Sequence, residues 1–205
     1  MSNEVKTKEK VDMDPKYIIK LTVTLFVTCV IVAGLLGYVN SITAGPIAET
    51  NWQNTVAAMK AVVADPDNTE FSEAMENSDA MTAAASGAGA TLDSVYEYQV
   101  GGEFGGYAVK IVASGSQDNI EMMVGVDSEG AVSGVSIVKN SETSGIGSKV
   151  MTNVNGVLDQ FIGKSAADGT LVVGTNVDAI SGATVSTKGV TTGVNAALAV
   201  AGAIG

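Results

Sequence analysis

The chain is 205 residues long, enough for one modest domain with accessory segments but not for two large domains. Its formal charge is −11, and all eleven basic residues are lysines, so it lacks the concentrated positive face that a nucleic acid requires. With no histidine and one cysteine, Cys29, it has none of the usual ligand sets for zinc, haem or iron–sulfur clusters, no internal disulfide, and neither a Ser-His-Asp triad nor a Cys-His pair; any redox chemistry must come from an organic cofactor.

Residues 1–16 read as a charged tail and 17–43 as a transmembrane helix. From Leu21 to Val39 the sequence LTVTLFVTCVIVAGLLGYV carries no charge, and extension to Thr43 reaches the roughly 20 residues that a bilayer core demands. Lys6, Lys8, Lys10, Lys16 and Lys20 precede this run, whereas the next lysine is Lys60. The positive-inside bias therefore puts the N-terminus in the cytoplasm and the rest outside. Ile42-Thr43-Ala44 loosely fits a cleavage site, but the apolar run exceeds the roughly 7–15 residues of a signal-peptide core, so the helix reads as a retained anchor. Cys29 lies mid-span as a small apolar residue, without a lipid-attachment context. Beyond the anchor six lysines face eighteen carboxylates, which favours solubility and does not invite anionic partners.

Residues 44–90 read as a connecting helix and a linker. Pro46 is placed to open a helix, and Ile47, Trp52, Val56, Met59 and Val63 follow at roughly helical spacing. Residues 64–80 (ADPDNTEFSEAMENSDA) are acidic and 82–90 (TAAASGAGA) small and featureless, a pattern of solvated turn or helix followed by a flexible joint.

Residues 91–205 read as an α+β domain. SVYEYQV, GYAVKIVA, NIEMMVGV and AVSGVSIV are β-branched and aromatic runs separated by glycine and serine turn signals, which predicts an antiparallel meander. A helix is expected over Lys149 to Phe161, a short strand over Leu171 to Val173, and a last helix over Ser186 to Ala201.

Between that strand and the last helix lies Asp178-Ala179-Ile180-Ser181-Gly182-Ala183-Thr184-Val185-Ser186-Thr187-Lys188. It is a small-residue turn feeding a helix start, where unpaired N–H groups and the helix dipole favour an anion. The Thr184 hydroxyl projects at the turn, and Lys188 follows one helical turn later. Ordinary N-capping by Ser181, Thr184 or Ser186 explains the same composition, and local physics does not decide between the two.

The run D-x-x-S-G-A-T resembles the flavinylation motif of the FMN-binding domain found in the G subunit of the Rnf complex and the C subunit of sodium-translocating NADH:quinone reductase. A second element of that family, E-T-P-G-L-G, is similar to Glu142-Thr143-Ser144-Gly145-Ile146-Gly147, with Ser144 and Ile146 replacing proline and leucine. Gly105-Gly106-Tyr107 and the Ile42-Thr43-Ala44-Gly45-Pro46-Ile47 stretch extend the likeness. The compact length and single anchor resemble the Rnf G subunits more than the longer C subunits.

The resemblance implies FMN joined covalently to Thr184 through a phosphoester by a dedicated flavin transferase that reads the motif, Asp178 included. It implies a cofactor site from Ser181, Gly182, Ala183, Lys188, Glu142, Thr143, Gly145, Ile146 and Gly147, with no catalytic residue and no metal. Glu142 either orients loop 142–147 or hydrogen-bonds the flavin; Lys188 or Lys149 is expected to meet the phosphate charge; Tyr96, Tyr98, Phe104, Tyr107 and Phe161 are candidates to stack on the ring. The implied function is that of an electron relay among the membrane subunits of a complex that couples ferredoxin:NAD electron transfer to movement of Na+ or H+, with ferredoxin and NAD on the opposite side of the membrane. A C-subunit-type component, a stand-alone flavinylated carrier and a non-redox anchored domain in which SGAT is only a helix cap are the alternatives.

Overall fold

The computed structural model describes residues 15–204; of the tail assigned to 1–16, only Pro15 and Lys16 lie within the described residues, and Lys6, Lys8 and Lys10 do not. The chain divides after Asn51 into two compact units. The described part of the first is entirely helix α1 (Pro15–Ala61), which runs on into the second unit. Its apolar side chains, Leu25, Phe26, Ile31, Leu35 and Leu36 among them, are exposed, and it is long and apolar enough to cross a membrane. Pro46 does not open a helix as expected but lies inside this one. Proline lacks the N–H that would bond the Ile42 carbonyl; on either side of it the Thr43 hydroxyl donates to the Val39 carbonyl at 3.0 Å and the Thr50 hydroxyl to the Pro46 carbonyl at 2.9 Å.

The second unit is built on β1 (Thr69–Ala74), β2 (Thr91–Val100), β3 (Glu103–Ser114), β4 (Asn119–Asp127) and β5 (Val132–Lys139), an antiparallel meander with strands side by side in chain order. The sheet buries both faces. Val109, Ile111, Ala113, Ile120, Met122 and Val124 lie in the larger core with α2 (Asp79–Gly87) and α4 (Thr184–Ile204), whose Val190, Val194, Ala197 and Val200 are buried with them. Tyr96, Tyr98, Ala108 and Met123 form a smaller cluster with Ala58, Met59, Val62 and Val63 at the end of α1. Val62 sits fully buried against Gly125 and Gly134, where an added Cβ would run into its backbone, and its carbonyl accepts a 2.5 Å bond from the Ser133 hydroxyl.

The α+β class and four expected strands stand, but 64–90 is no bare linker. The acidic stretch contains β1, an edge strand whose Phe71 ring packs 5.9 Å from that of Tyr98 while its acids face solvent, a common way of blunting a sheet edge. The alanine run forms α2: Ser78 caps it by accepting from the Met81 N–H, and Met81 and Ala85 are buried. The helix expected over 149–161 is broken into α3 (Ser148–Met151) and two tight turns, because Asn153 and Asn155 take left-handed φ values of 54° and 60°. The strand expected over 171–173 is reduced to one bridge between Val173 and Val177, and Asn195 of α4 replaces a neighbouring strand by bonding both the N–H and the carbonyl of Leu171.

Candidate functional site

Helix α4 starts two residues after a tight turn. Gly182 has a φ of 82°, a conformation glycine adopts without steric cost, and the Ala183 N–H closes the turn onto the Ile180 carbonyl at 2.9 Å. Ala183 is buried and its carbonyl accepts the first helical bond, from Thr187. The helix cap is therefore Ala183, and none of Ser181, Thr184 or Ser186 caps it. Thr184 is the first helical residue, exposed, with the N–H groups of the opening turn beside it and without intrahelical acceptors.

Loop 142–147 is brought to this helix start by Glu142. Its Oε1 accepts from the Ser116 N–H at 2.6 Å and the Gln117 N–H at 3.4 Å, in the turn between β3 and β4, and its Oε2 accepts from the Ser186 hydroxyl of α4 at 2.6 Å. Of the two roles open to Glu142 in the sequence, this geometry fits orientation of the loop. Gly147 leaves room for the contact, since a Cβ there would strike the Glu142 carboxylate and come within 2.8 Å of the Ser186 hydroxyl. Gly145 turns the loop at a φ of 77° and its N–H donates to the Ser148 hydroxyl at 2.8 Å.

Two cavities result. One of about 140 Å³ has Thr184 in its wall together with Glu142, Thr143, Ile146, Gly147, Gly182 and Ala183, so residues some 40 positions apart meet there. The other, about 560 Å³, lies against Asp178, Ala179, Ile180 and Ser181 on one side and Lys149, Val154, Asn155, Gly156, Val157 and Gln160 on the other. Its size falls in the roughly 300–1,000 Å³ range of small-molecule sites. Ile146, Val154 and Val185 are exposed apolar side chains in the walls of these cavities.

The expected residues divide accordingly. Glu142, Thr143, Ile146, Gly147, Gly182, Ala183 and Thr184 share the small cavity; Asp178 and Ser181 line the larger. Of the two lysines Lys149 lines a cavity at the motif, whereas Lys188 is exposed and lines neither. None of the five candidate aromatics reaches either cavity. Phe161 is buried in the main core and Tyr96 and Tyr98 in the cluster under α1. Phe104 and Tyr107, whose rings meet edge to face at 5.3 Å, line a cavity with Leu198 and Ala201, about 20 Å along α4 from Thr184 at 1.5 Å per residue. Strand alternation puts Tyr96 and Tyr98 in the cluster away from α4, and Phe161 turns into the core that Ala183 shares instead of into a cavity. Sequence reasoning missed Ser116, Asn155 and Gln160, which belong to no motif and enter the site only through turns.

A family model described as FMN-binding domain matches residues 115–199. The chain is 35% identical to the G subunit of the Na(+)-translocating ferredoxin:NAD(+) oxidoreductase complex of Acetobacterium woodii, covering 96% of this chain and 97% of that protein. It is 29% identical to the G subunit of the ion-translocating oxidoreductase complex of Methanosarcina acetivorans, over 90% of this chain and 95% of that protein. It is also 29% identical to the G subunit of the proton-translocating ferredoxin:NAD(+) oxidoreductase complex of Clostridium ljungdahlii, over 91% and 93%.

Proposed function

The chain belongs to the family of G subunits of ion-translocating oxidoreductase complexes, and on that premise we propose that it is an electron-relay subunit carrying FMN as a phosphoester on Thr184. The observation that carries the reading is the exposed Thr184 hydroxyl on the first residue of α4, opening on a cavity it shares with loop 142–147.

The residues present fit such a group. A phosphodiester at Thr184 meets the free N–H groups of the first helical turn, with Lys149 lining the neighbouring cavity. Ile146, Val154 and Val185 offer apolar surface to a ring, and Gly182 keeps the approach to Thr184 free of a side chain. When bound, FMN supplies a centre that accepts an electron pair and passes electrons on singly. This chain's own residues hold and orient it: Glu142 fixes loop 142–147 against α4, and Ala183, buried, fixes the start of the helix beneath the attachment point.

Attachment is work for another enzyme. The Thr184 Oγ1 bonds to the flavin-side phosphorus of FAD, the phosphorus–oxygen bond to the AMP half breaks, AMP departs, and the hydroxyl proton passes to a base of the transferase. An ester so formed does not dissociate by mass action, which suits a compartment where free FMN is scarce.

The anchor reading follows the same lines: 1–16 in the cytoplasm, 17–43 across the membrane, 44–90 leading out of it, and 91–205 carrying the flavin outside the cell membrane, supported by the lysine bias around the apolar run. The elements over 64–90 then belong to the same external fold. Partners are the other membrane subunits of the complex and, during maturation, the transferase. Ferredoxin and NAD meet other subunits across the membrane.

Intact-mass analysis of wild type and Thr184→Ala, each produced with a flavin transferase, tests the reading. The wild type is expected to carry the mass of FMN less water and to stay yellow when denatured, and the variant to carry neither. Modification of both chains would assign a different hydroxyl, and a colourless wild type would end the redox reading.

A further inference from the structure

Gln160 makes an unusual set of contacts for a side chain in a 3₁₀ turn. Its Oε1 accepts from the Asp178 N–H at 2.7 Å, and its Nε2 donates to the Asp178 carbonyl at 3.0 Å and the Val157 carbonyl at 2.7 Å. One amide thus holds both backbone groups of the residue that begins the motif and uses both of its own N–H donors.

The turn that delivers it is built at a cost. Asn153 and Asn155 are the two non-glycine residues with positive φ among the described residues. Asn153 is held there by its side chain, which accepts from the Leu158 N–H at 2.7 Å and donates to Asp159 Oδ1 at 2.8 Å. Backbone in sparsely populated conformations persists where surrounding structure imposes it, and such places collect at functional sites. Burial of Phe161 directs the turn inward and leaves Gln160 beside Asp178.

Asp178 itself is fixed by its backbone alone. Its exposed carboxylate makes no hydrogen bond or ion pair within the described residues, so its acceptors face an incoming molecule. At the far end of the segment Ala183 is buried and α4 begins, so 178–184 cannot be drawn out as an extended strand without unburying Ala183 and unwinding the helix.

We infer that Gln160 is a positioning residue for flavin attachment: by bracketing Asp178 it presents 178–184 as one preformed surface, which the transferase reads on the folded domain. The inference rests on the reading of Thr184 as the attachment site. Asp178 meets the enzyme, and Gln160 acts through Asp178 without touching flavin.

The test uses the full chain in detergent with purified transferase and FAD, following mass gain over time. Gln160→Met keeps the size of the side chain and removes all three bonds. It is expected to raise the KM for the protein substrate about tenfold, with kcat unchanged, and to strip hydrogen-exchange protection from the Asp178 amide. Gln160→Glu keeps an acceptor for the Asp178 N–H but sets a carboxylate oxygen against the Val157 and Asp178 carbonyls, so its KM should also rise; it carries the same test if the methionine variant does not fold. A folded variant modified with the wild-type KM overturns the inference, as does wild-type chain held in urea being modified as fast as the native one. A wild type that gains no flavin sinks the Thr184 reading and this inference with it, whereas a modified wild type with an unchanged KM in the variants sinks this inference alone.

Discussion

The seam under α1 and the motif face are held by different physics. At the seam, Val62 fits a notch cut by Gly125 and Gly134, and Met59, Val63, Tyr98 and Met123 close over it, so the fit is steric and leaves no space. On the motif face, single polar side chains bridge segments that share no regular ladder: Glu142 joins the β3–β4 turn to α4, and Gln160 joins its turn to Asp178. Packing fills its volume, whereas a bracket fixes backbone and leaves the volume beside it open. That is why the motif face keeps open volume while the notch around Val62 is filled.

The sharpest break in this comparison comes from Thr184→Ala. All covalent flavin should be lost while the denaturant midpoint of the apo chain stays at the wild-type value, because Thr184 is exposed and its side chain makes no hydrogen bond among the described residues; unfolding curves together with intact mass show both.

Gly134→Val tests the seam from the other side. Its Cβ would lie 2.8 Å from the Val62 Cα, and overpacking of this kind costs about 1–3 kcal/mol, read as a lower midpoint in urea. Flavin attachment to the folded fraction should be unchanged, since the notch and the motif lie on separate faces of the sheet.

Glu142→Ala should destabilise by about 1–2 kcal/mol, as the Ser116 N–H and the Ser186 hydroxyl lose their acceptor. The damage should be local: exchange protection falls at Ser116 and across 142–148 while the sheet amides keep theirs. Equal loss in both places would mean that the motif face is not a separate bracketed region.

The smallest effect concerns Tyr98 at the seam. Burial raises its phenol above the ordinary value near 10, the neighbouring Ser133 hydroxyl partly opposes this, and the charge of Asp127 adds to it. A proton held more tightly in the folded state gives stability that is present below about pH 10 and lost as the pH rises through the folded value. Melting temperature should therefore fall above about pH 10, and Tyr98→Phe should flatten that slope.

Much of this was legible in the chain. The apolar run over 17–43, the four β-branched segments and the alanine- and valine-rich last helix carry their periodicities openly, and the D-x-x-S-G-A-T and Glu142-to-Gly147 elements carry the family resemblance, though their local chemistry alone does not separate a cofactor site from a helix cap. The misses share a cause. β1 has a single apolar side chain of consequence, Phe71, whose partner Tyr98 is 27 residues away, and α2 becomes a helix because α4 covers Met81 and Ala85. The broken helix over 149–161 depends on two asparagines whose left-handed turn is fixed by contacts at Leu158 and Asp159.

What the sequence by itself determined is therefore whatever rests on local pattern: an apolar span, alternating strands, a helix start with a hydroxyl at its first turn. What only the tertiary structure decided is which side chains reach that hydroxyl. Glu142 and Gln160 act at positions set by the docking of loops on α4, while Tyr96, Tyr98 and Phe161 are buried in the cores and Phe104 and Tyr107 line a cavity at the far end of α4. Periodicity is encoded over a few neighbouring residues, whereas a bracket between Glu142 and Ser186 exists only once the whole chain has closed around it.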